Sequence, residues 1–433
     1  MSSNEPVAEP PRFNERMILL LVAAVQFVNI LDFMMVMPLG PDFAAALGIS
    51  ESSLGIIGGS YTAAAAVGGL VAARFLDRFD RRVALAAMMG GLVIGTAMGG
   101  LATGLTSLLL ARVVAGFFGG PATAVSISIV ADVVPVSRRG KAMGAVMISF
   151  SIASVLGVPA GLELARLGGW RLPFFSVAAL GLVLVGLAIT LMPPLRVHLE
   201  KQDAGSSISI LSLVRDRAAA LALLTNALST ISAFMLIPNI SAFIQLNRGY
   251  PRDRLGLLYF AGGMVSLVLM RAVGSLVDRL GAPMVAAVGT ALFSSVVYTA
   301  FAMPEPILPV ILAFVGFMGA SAFRNVSLNA QATRVPRPHE RAGFMSALSA
   351  VQHTAAAAGA FLSAKLLTQT ADHRLEGVGL ISWATIAGSL TMPPLLWLIE
   401  KAIRIRESAE MQRATKTNIV AANASEVTED AAL

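Results

Sequence analysis

The sequence predicts an all-α membrane protein of twelve transmembrane helices in two pseudo-symmetric six-helix bundles, and three observations predict it. First, 56% of the 433 residues are apolar and only 13% are charged, about half the charged share of ordinary soluble domains. The apolar residues fall in runs of about 20, the length of a spanning helix. Second, the second half repeats the punctuation of the first at an offset of about 200 residues. Pro38 answers Pro238, Leu54-Gly55 answers Leu255-Gly256, Asp77-Arg78 answers Asp278-Arg279, Gly119 answers Gly319, and Met143-Gly144-Ala145 answers Met345-Ser346-Ala347. So long a period is no solenoid repeat; in an apolar chain it marks two related bundles with a site between them. Third, Lys and Arg are concentrated in alternate gaps between the runs, which fixes a topology through their retention on the cytoplasmic side.

Taken in order, the spans begin near Met17, Leu54, Val83, Ser107, Ala142, Pro173, Ala218, Leu255, Pro283, Ile307, Gly343 and Gly377. Residues 1–16 are polar and read as a cytoplasmic tail, and the run from Met17 is too long for a signal core, so it is expected to remain as helix 1. Residues 17–192 form the N-terminal bundle. Residues 193–217, opening on Pro193-Pro194 and passing through charged and Ser/Gly-rich sequence, form a cytoplasmic linker. Residues 218–404 form the C-terminal bundle, and 405–433 lose apolar periodicity and read as a disordered tail. Gly58-Gly59, Gly68-Gly69, Gly90-Gly91 and Gly119-Gly120 supply the small faces that let helix backbones approach in lipid.

Arg74, Arg78, Arg81 and Arg82 follow helix 2; Arg138, Arg139 and Lys141 follow helix 4; Arg196, Lys201, Arg215 and Arg217 follow helix 6; Arg334, Arg337 and Arg341 follow helix 10. Residues 40–53, 103–106 and 303–306 contain no Lys or Arg. Both ends of the chain are therefore expected in the cytoplasm, with Arg248, Arg252 and Arg254 as a partial exception. This asymmetry accounts for the net charge of +7, and no aromatic-interleaved basic patch points to nucleic acid. The absence of cysteine excludes disulfides and thiolate metal sites. His198, His339, His353 and His373 are scattered, so neither a metal site nor a nucleophile-base constellation is visible, and no cofactor is expected. No G-x-x-x-x-G-K-[ST] loop is present, so ATP is not the expected energy source.

A charge inside a span costs at least about 2.5–3.5 kcal/mol, which singles out Asp32 and Arg112. Asp32 lies about 22 Å along helix 1 at 1.5 Å per residue. Arg112 lies early in helix 4, which runs the opposite way, so the two share a depth. Their second-half counterparts fall near Ser232 and Ala313, both uncharged. Burial favours a protonated carboxyl and a nearby guanidinium favours an ionised one. A pair that closes and parts between states therefore loads and releases a proton; a permanent ionised bridge between helices 1 and 4 is the alternative. Arg324, with Asn325 beside it on helix 10, either meets an anionic substrate group or snorkels toward the cytoplasm. His353 either carries protons or packs as a neutral residue. Gln26, Asn29, Tyr61, Asn226, Asn239 and Tyr259 suit a substrate cavity or bonds between helices.

The segment Ala73-Arg74-Phe75-Leu76-Asp77-Arg78-Phe79-Asp80-Arg81-Arg82 resembles the helix 2–3 loop signature of the major facilitator superfamily, G-x-L-A-D-R-x-G-R-R/K, with Ala73 and Asp80 standing where glycine is preferred. Gly274-Ser275-Leu276-Val277-Asp278-Arg279-Leu280-Gly281 restores both glycines and drops the basic pair. Leu108, Arg112 and Gly116 fit the family's helix 4 pattern L-x-x-x-R-x-x-x-G, with Asp132 ahead of Arg138-Arg139-Gly140. Gly157-Val158-Pro159-Ala160-Gly161 resembles the Gly/Pro helix 5 signature of drug-proton and sugar-efflux antiporters, its G-P order shifted to G-V-P. Leu31-Asp32-Phe33 and Met37-Pro38-Leu39-Gly40-Pro41 are similar to the twelve-helix drug:proton antiporter branch.

The resemblance implies the major facilitator fold, with helices 1 and 4 lining the N-terminal side of a central cavity. It implies a conformational latch of Asp77, Arg78, Arg81, Arg82 and Asp132, echoed by Asp278 and Arg279, that ties helix ends in one state and frees them in another. It implies proton-coupled export of a small organic solute or amphipathic drug by alternating access. The partners are then protons, that solute and membrane lipid, for a monomer in a bacterial inner membrane. Solute symport or facilitated import, lipid export, and a non-transporting sensor of the same fold are the alternatives.

Overall fold

The computed structural model describes residues 15–196, 216–305, 307–337 and 341–408. Residues 1–14, most of the expected linker and most of the expected tail lie outside the described residues. A helix stands at each of the twelve expected places. In order they are α1 (Glu15–Val36), α2 (Leu54–Phe75), α3 (Arg81–Gly100), α4 (Leu105–Val133), α5 (Val136–Ile152, one wider turn at Ala153–Gly157, then Val158–Gly168) and α6 (Arg171–Leu191). The second set is α7 (Arg217–Leu236, prolonged over 237–247), α8 (Leu255–Leu280), α9 (Ala282–Val297), α10 (Val310–Arg334), α11 (Arg341–Leu366) and α12 (Val378–Leu390, resumed over 392–408). Eleven helices among the described residues are long and apolar enough to cross a membrane, and α11 is a further helix of 26 residues.

Local chemistry sets the helix ends. Asp80 caps α3 by accepting from Arg82 N–H, and Asp216 caps α7 by accepting from Ala218 and Ala219 N–H, each satisfying donors that the first turn leaves unbonded. Gly281 turns the chain from α8 into α9 at φ +83°, a backbone conformation that favours glycine.

The sequence repeat reappears as repeated packing. Within the first half α4 packs on α2 and α3, α1 on α5, and α3 on α6; within the second α10 packs on α8 and α9, α7 on α11, and α9 on α12. The halves meet along α2 with α11 and along α5 with α8, two contacts that exchange when the halves are swapped. Glycine makes the closest crossing possible. Gly116 and Gly120 of α4 lie against the backbone carbonyls of Tyr61 and Ala65 on α2, and Gly68 lies against that of Phe117. A short antiparallel ladder in the α11–α12 connection pairs Thr368 with Glu376 and Gln369 with Leu375.

Candidate functional site

Asp32 of α1 and Arg112 of α4 are 0% and 1% exposed, and they meet: Arg112 Nη1 lies 3.0 Å from Asp32 Oδ2. The other carboxylate oxygen, Oδ1, accepts from the Thr96 hydroxyl of α3 at 2.7 Å. Tyr61 of α2 slides its ring under the guanidinium, 4.5 Å from centroid to Cζ, because Gly116 lets the α2 backbone touch α4 one turn away from Arg112. The Tyr61 hydroxyl donates to Asn29 Oδ1 at 2.9 Å. Asn29 Nδ2 in turn donates to Gly119 O at 2.8 Å and Thr123 Oγ1 at 2.7 Å. Asn29 and Asp32 are one turn apart on α1 and so share a face. Four helices thus converge on one ion pair, and removing a single member of such a buried pair costs about 3–5 kcal/mol.

The remaining expected cavity residues are dispersed. Gln26 is buried with Oε1 unbonded. Asn239 joins α7 to α11 through Ser363 Oγ at 2.6 Å. Asn226 lines a small cavity with Ala222, Thr225, Leu328 and Gln331. Tyr259 is half-buried with its ring against Phe314, 4.7 Å between centroids, and His353 is half-buried on α11. Arg324 is 3% exposed and turned into its own bundle, whereas Asn325 is exposed. Asn29, Tyr61 and Asn239 are therefore engaged in bonds between helices in this conformation.

The expected latch residues sit at the cation-rich end. The side chain of Asp77 lies outside the described residues, and Arg78 is exposed. Arg81 Nε reaches Asp132 Oδ2 at 3.2 Å. Arg82 donates to the carbonyls of Ile189 and Met192 at 3.5 and 3.3 Å, a cation closing the C-terminal end of α6. Asp80 accepts from Leu195 N–H and from Arg196 Nε, both at 3.1 Å. Burial pushes its carboxyl up, but the Leu195 and Arg82 N–H groups and the Arg196 guanidinium outweigh it and hold the carboxyl below the usual carboxylate range. Asp278 and Arg279 are exposed and make no ion pair among the described residues.

In the helix 5 motif, a Cβ on Gly157 would stand 2.9 Å from Leu31 Cδ1, while Gly263 of α8 lies against Val155 and Gly256 near the Pro159 carbonyl. Gly161 faces Met35. The motif therefore sits where α5 meets both α1 and the other half.

Sequence reasoning misses the contact that ties the halves. Arg252 holds Asp42 by a forked bond, Nε to Oδ1 at 2.8 Å and Nη2 to Oδ2 at 2.5 Å. Beside it Ser241 Oγ donates to Pro38 O at 3.2 Å, and Gln369 bonds Glu51 and Ser50. All of these lie at the end opposite the cation-rich one. At the cation-rich end the described ion pairs stay within a half: Arg81–Asp132, Arg138–Glu15 and Arg196–Asp80 in the first, Arg334–Glu400, Arg404–Glu400 and Arg406–Asp216 in the second.

The model of the Major Facilitator Superfamily matches residues 22–364. An uncharacterized MFS-type transporter of Mycobacterium tuberculosis is 26% identical over 406 residues, covering 81% of this chain and 70% of that protein. The chloramphenicol resistance protein of Streptomyces lividans is 27% identical over 316 residues, covering 70% of this chain and 77% of that protein. Among solved structures, the nucleoside transporter NupG shares the fold, with a TM-score of 0.68 at 16% identity over 88% of this chain and 99% of that one. With the family match spanning most of its helices, the chain belongs to the Major Facilitator Superfamily and is a membrane transporter, not an enzyme.

Proposed function

We propose that this transporter is a proton-coupled antiporter that exports a small organic solute, acting as a monomer with both ends of its chain in the cytoplasm. The observation that carries the reading is the Asp32–Arg112 pair: a carboxylate with no exposure, held by one guanidinium and one hydroxyl. A charge so placed has few structural reasons to exist.

The positive-inside rule assigns the cation-rich end to the cytoplasm, so the Arg252–Asp42 lock lies outside and this conformation opens inward. In the opposite conformation Asp32 parts from Arg112 and takes a proton from outside. On return Arg112 closes on Asp32 and the proton leaves to the cytoplasm as the next solute binds. The Asp80, Arg81, Arg82 and Asp132 network holds the cytoplasmic ends of α3, α4 and α6 as one body during that motion.

The test is lumenal pH in acid-loaded inverted vesicles as drugs, chloramphenicol among them, sugars and nucleosides are added. Wild type is expected to release protons on addition of a transported compound, and Asp32→Asn is not. A labelled compound that moves down its own gradient with no proton movement, equally in both, would sink the proton role and leave the pair a fixed bridge.

A further inference from the structure

Arg324 is buried inside the second bundle at 3% exposure, yet little in the chain answers its charge. A guanidinium carries five N–H donors. Here Nη2 donates to Ser229 Oγ of α7 at 3.0 Å, and Nε is buried without a partner. The Phe293 ring of α9 covers one face at 4.1 Å. Among the described residues Arg324 makes no ion pair with a carboxylate. Arg112 is placed similarly, against the Tyr61 ring and a polar residue of the first helix in its bundle, but that residue is the carboxylate Asp32. Where the first half supplies a negative charge, the second supplies a serine.

One hydroxyl meets this charge, and three more lie on the helix faces that contact it. Ser229 accepts from Arg324, and its own hydrogen has only Met392 Sδ at 4.0 Å, a weak acceptor. Thr290 stands one turn before Phe293 on α9, Ser327 one turn after Arg324 on α10, and Ser389 one turn before Met392 on α12. Each is buried with its hydroxyl oxygen unbonded, and each shares a helix face with a residue that touches Arg324 or Ser229. One turn nearer the cation-rich end, the small cavity lined by Thr225, Asn226 and Gln331 offers a polar approach. A buried positive charge with one N–H unbonded, beside a hydroxyl whose own hydrogen has no strong acceptor, has the recognition chemistry of a small anion.

We propose that the second bundle binds a monovalent inorganic anion of chloride size beside the Arg324–Ser229 contact, held by the free Nε–H of Arg324 and the Ser229 hydroxyl. The anion supplies the counter-charge that Asp32 supplies in the first bundle.

The test uses the purified full chain in maltoside detergent without solute or gradient, so it stands apart from the antiport reading. Melting temperature is followed at constant ionic strength as chloride replaces gluconate. Wild type is expected to rise saturably, by about 2–4 °C at roughly ten times the half-saturating chloride, and bromide to act likewise. Arg324→Gln is expected to lose the rise. If Arg324→Gln does not fold, Ser229→Ala, which keeps the charge and removes the hydroxyl, is expected to raise the half-saturating chloride several-fold. No chloride-specific rise in wild type, or an unchanged half-saturation in Ser229→Ala, would overturn the proposal.

Discussion

The Thr96 hydroxyl faces Asp32 with one hydrogen and two acceptors in reach. Thr96 Oγ1 lies 2.7 Å from Asp32 Oδ1 and 2.8 Å from the carbonyl of Leu92 in its own helix. An ionised Asp32 takes the hydroxyl hydrogen. A protonated Asp32 donates its own to the Thr96 oxygen, and Thr96 turns its hydrogen to Leu92. Both protonation states are thus bonded without any helix moving.

Thr96→Val keeps the shape and removes the oxygen, so one state loses a donor and the other an acceptor. A lost bond to a charged group is worth about 1.5–3 kcal/mol, so proton-coupled exchange in vesicles is expected to slow by about ten-fold or more. Thr96→Ser is expected to restore it. Wild-type exchange in a well-expressed Thr96→Val would show that the hydroxyl has no part in coupling.

The Arg252–Asp42 fork is part-exposed, 28% and 25% by side chain, and such pairs contribute about 0.2–1 kcal/mol. Asp42→Asn is therefore expected to shift the opening of the locked end by up to about five-fold. The chain has no cysteine, so Ser241→Cys, buried beside Pro38, reports that opening through its rate of thiol labelling. Labelling is expected to quicken with Asp42→Asn and to return toward the starting rate in an Asp42→Arg, Arg252→Asp exchange. An unchanged rate would mean that packing of α2 on α11, not the ion pair, holds the end shut.

Asp32 and Arg112 are legible in the sequence because each is a charge in an apolar run whose depth can be counted from its ends. Thr96 is not, since a threonine in a membrane helix reads the same whether it bonds its own backbone or a neighbour's carboxylate. Arg252 reads only as an exception to the cation pattern, and its reason, an aspartate some 210 residues away, needs the two halves brought together. The helix positions are legible because water-free lipid demands long apolar helices. The wider turn at Ala153–Gly157 is not, because one shifted backbone bond leaves no periodicity to read. Asn29 and Tyr61 show how polar residues in helices divide between cavity and scaffold only once their partners are known.

Asp80 ties stability to pH. Its folded carboxyl titrates below the usual value, about 3.9 in an unfolded chain, so its contribution is full above that value and is lost as pH falls through the folded one. Asparagine caps helices nearly as well as aspartate, so Asp80→Asn removes mainly the charge held by Leu195 N–H and Arg196. The variant is expected to melt below wild type at pH 7, and the gap to close as pH falls below about 4. A gap that stays constant down to pH 3 would mean the carboxylate's charge contributes nothing.

Gly116 fixes how closely α4 passes α2, and through that contact it also positions the site. A Cβ there would meet the Tyr61 carbonyl, and one on Gly120 would stand 2.6 Å from Ala65 O. Backbone cannot yield as a flexible side chain can, so Gly116→Val must push the helices apart. Such overpacking costs about 1–3 kcal/mol, or roughly 2–12 °C of melting temperature for a bundle of this size. Because the displaced Tyr61 is also the ring beneath Arg112, the same change is expected to weaken proton-coupled exchange beyond what the stability loss explains. Gly69→Ala and Gly90→Ala, on α2 and α3 with nothing within 4 Å of the added carbon, are the controls, expected to melt and transport like wild type. If Gly116→Val matched them in both assays, α2 and α4 would not be in backbone contact, and the placing of Tyr61 under Arg112 would need another cause.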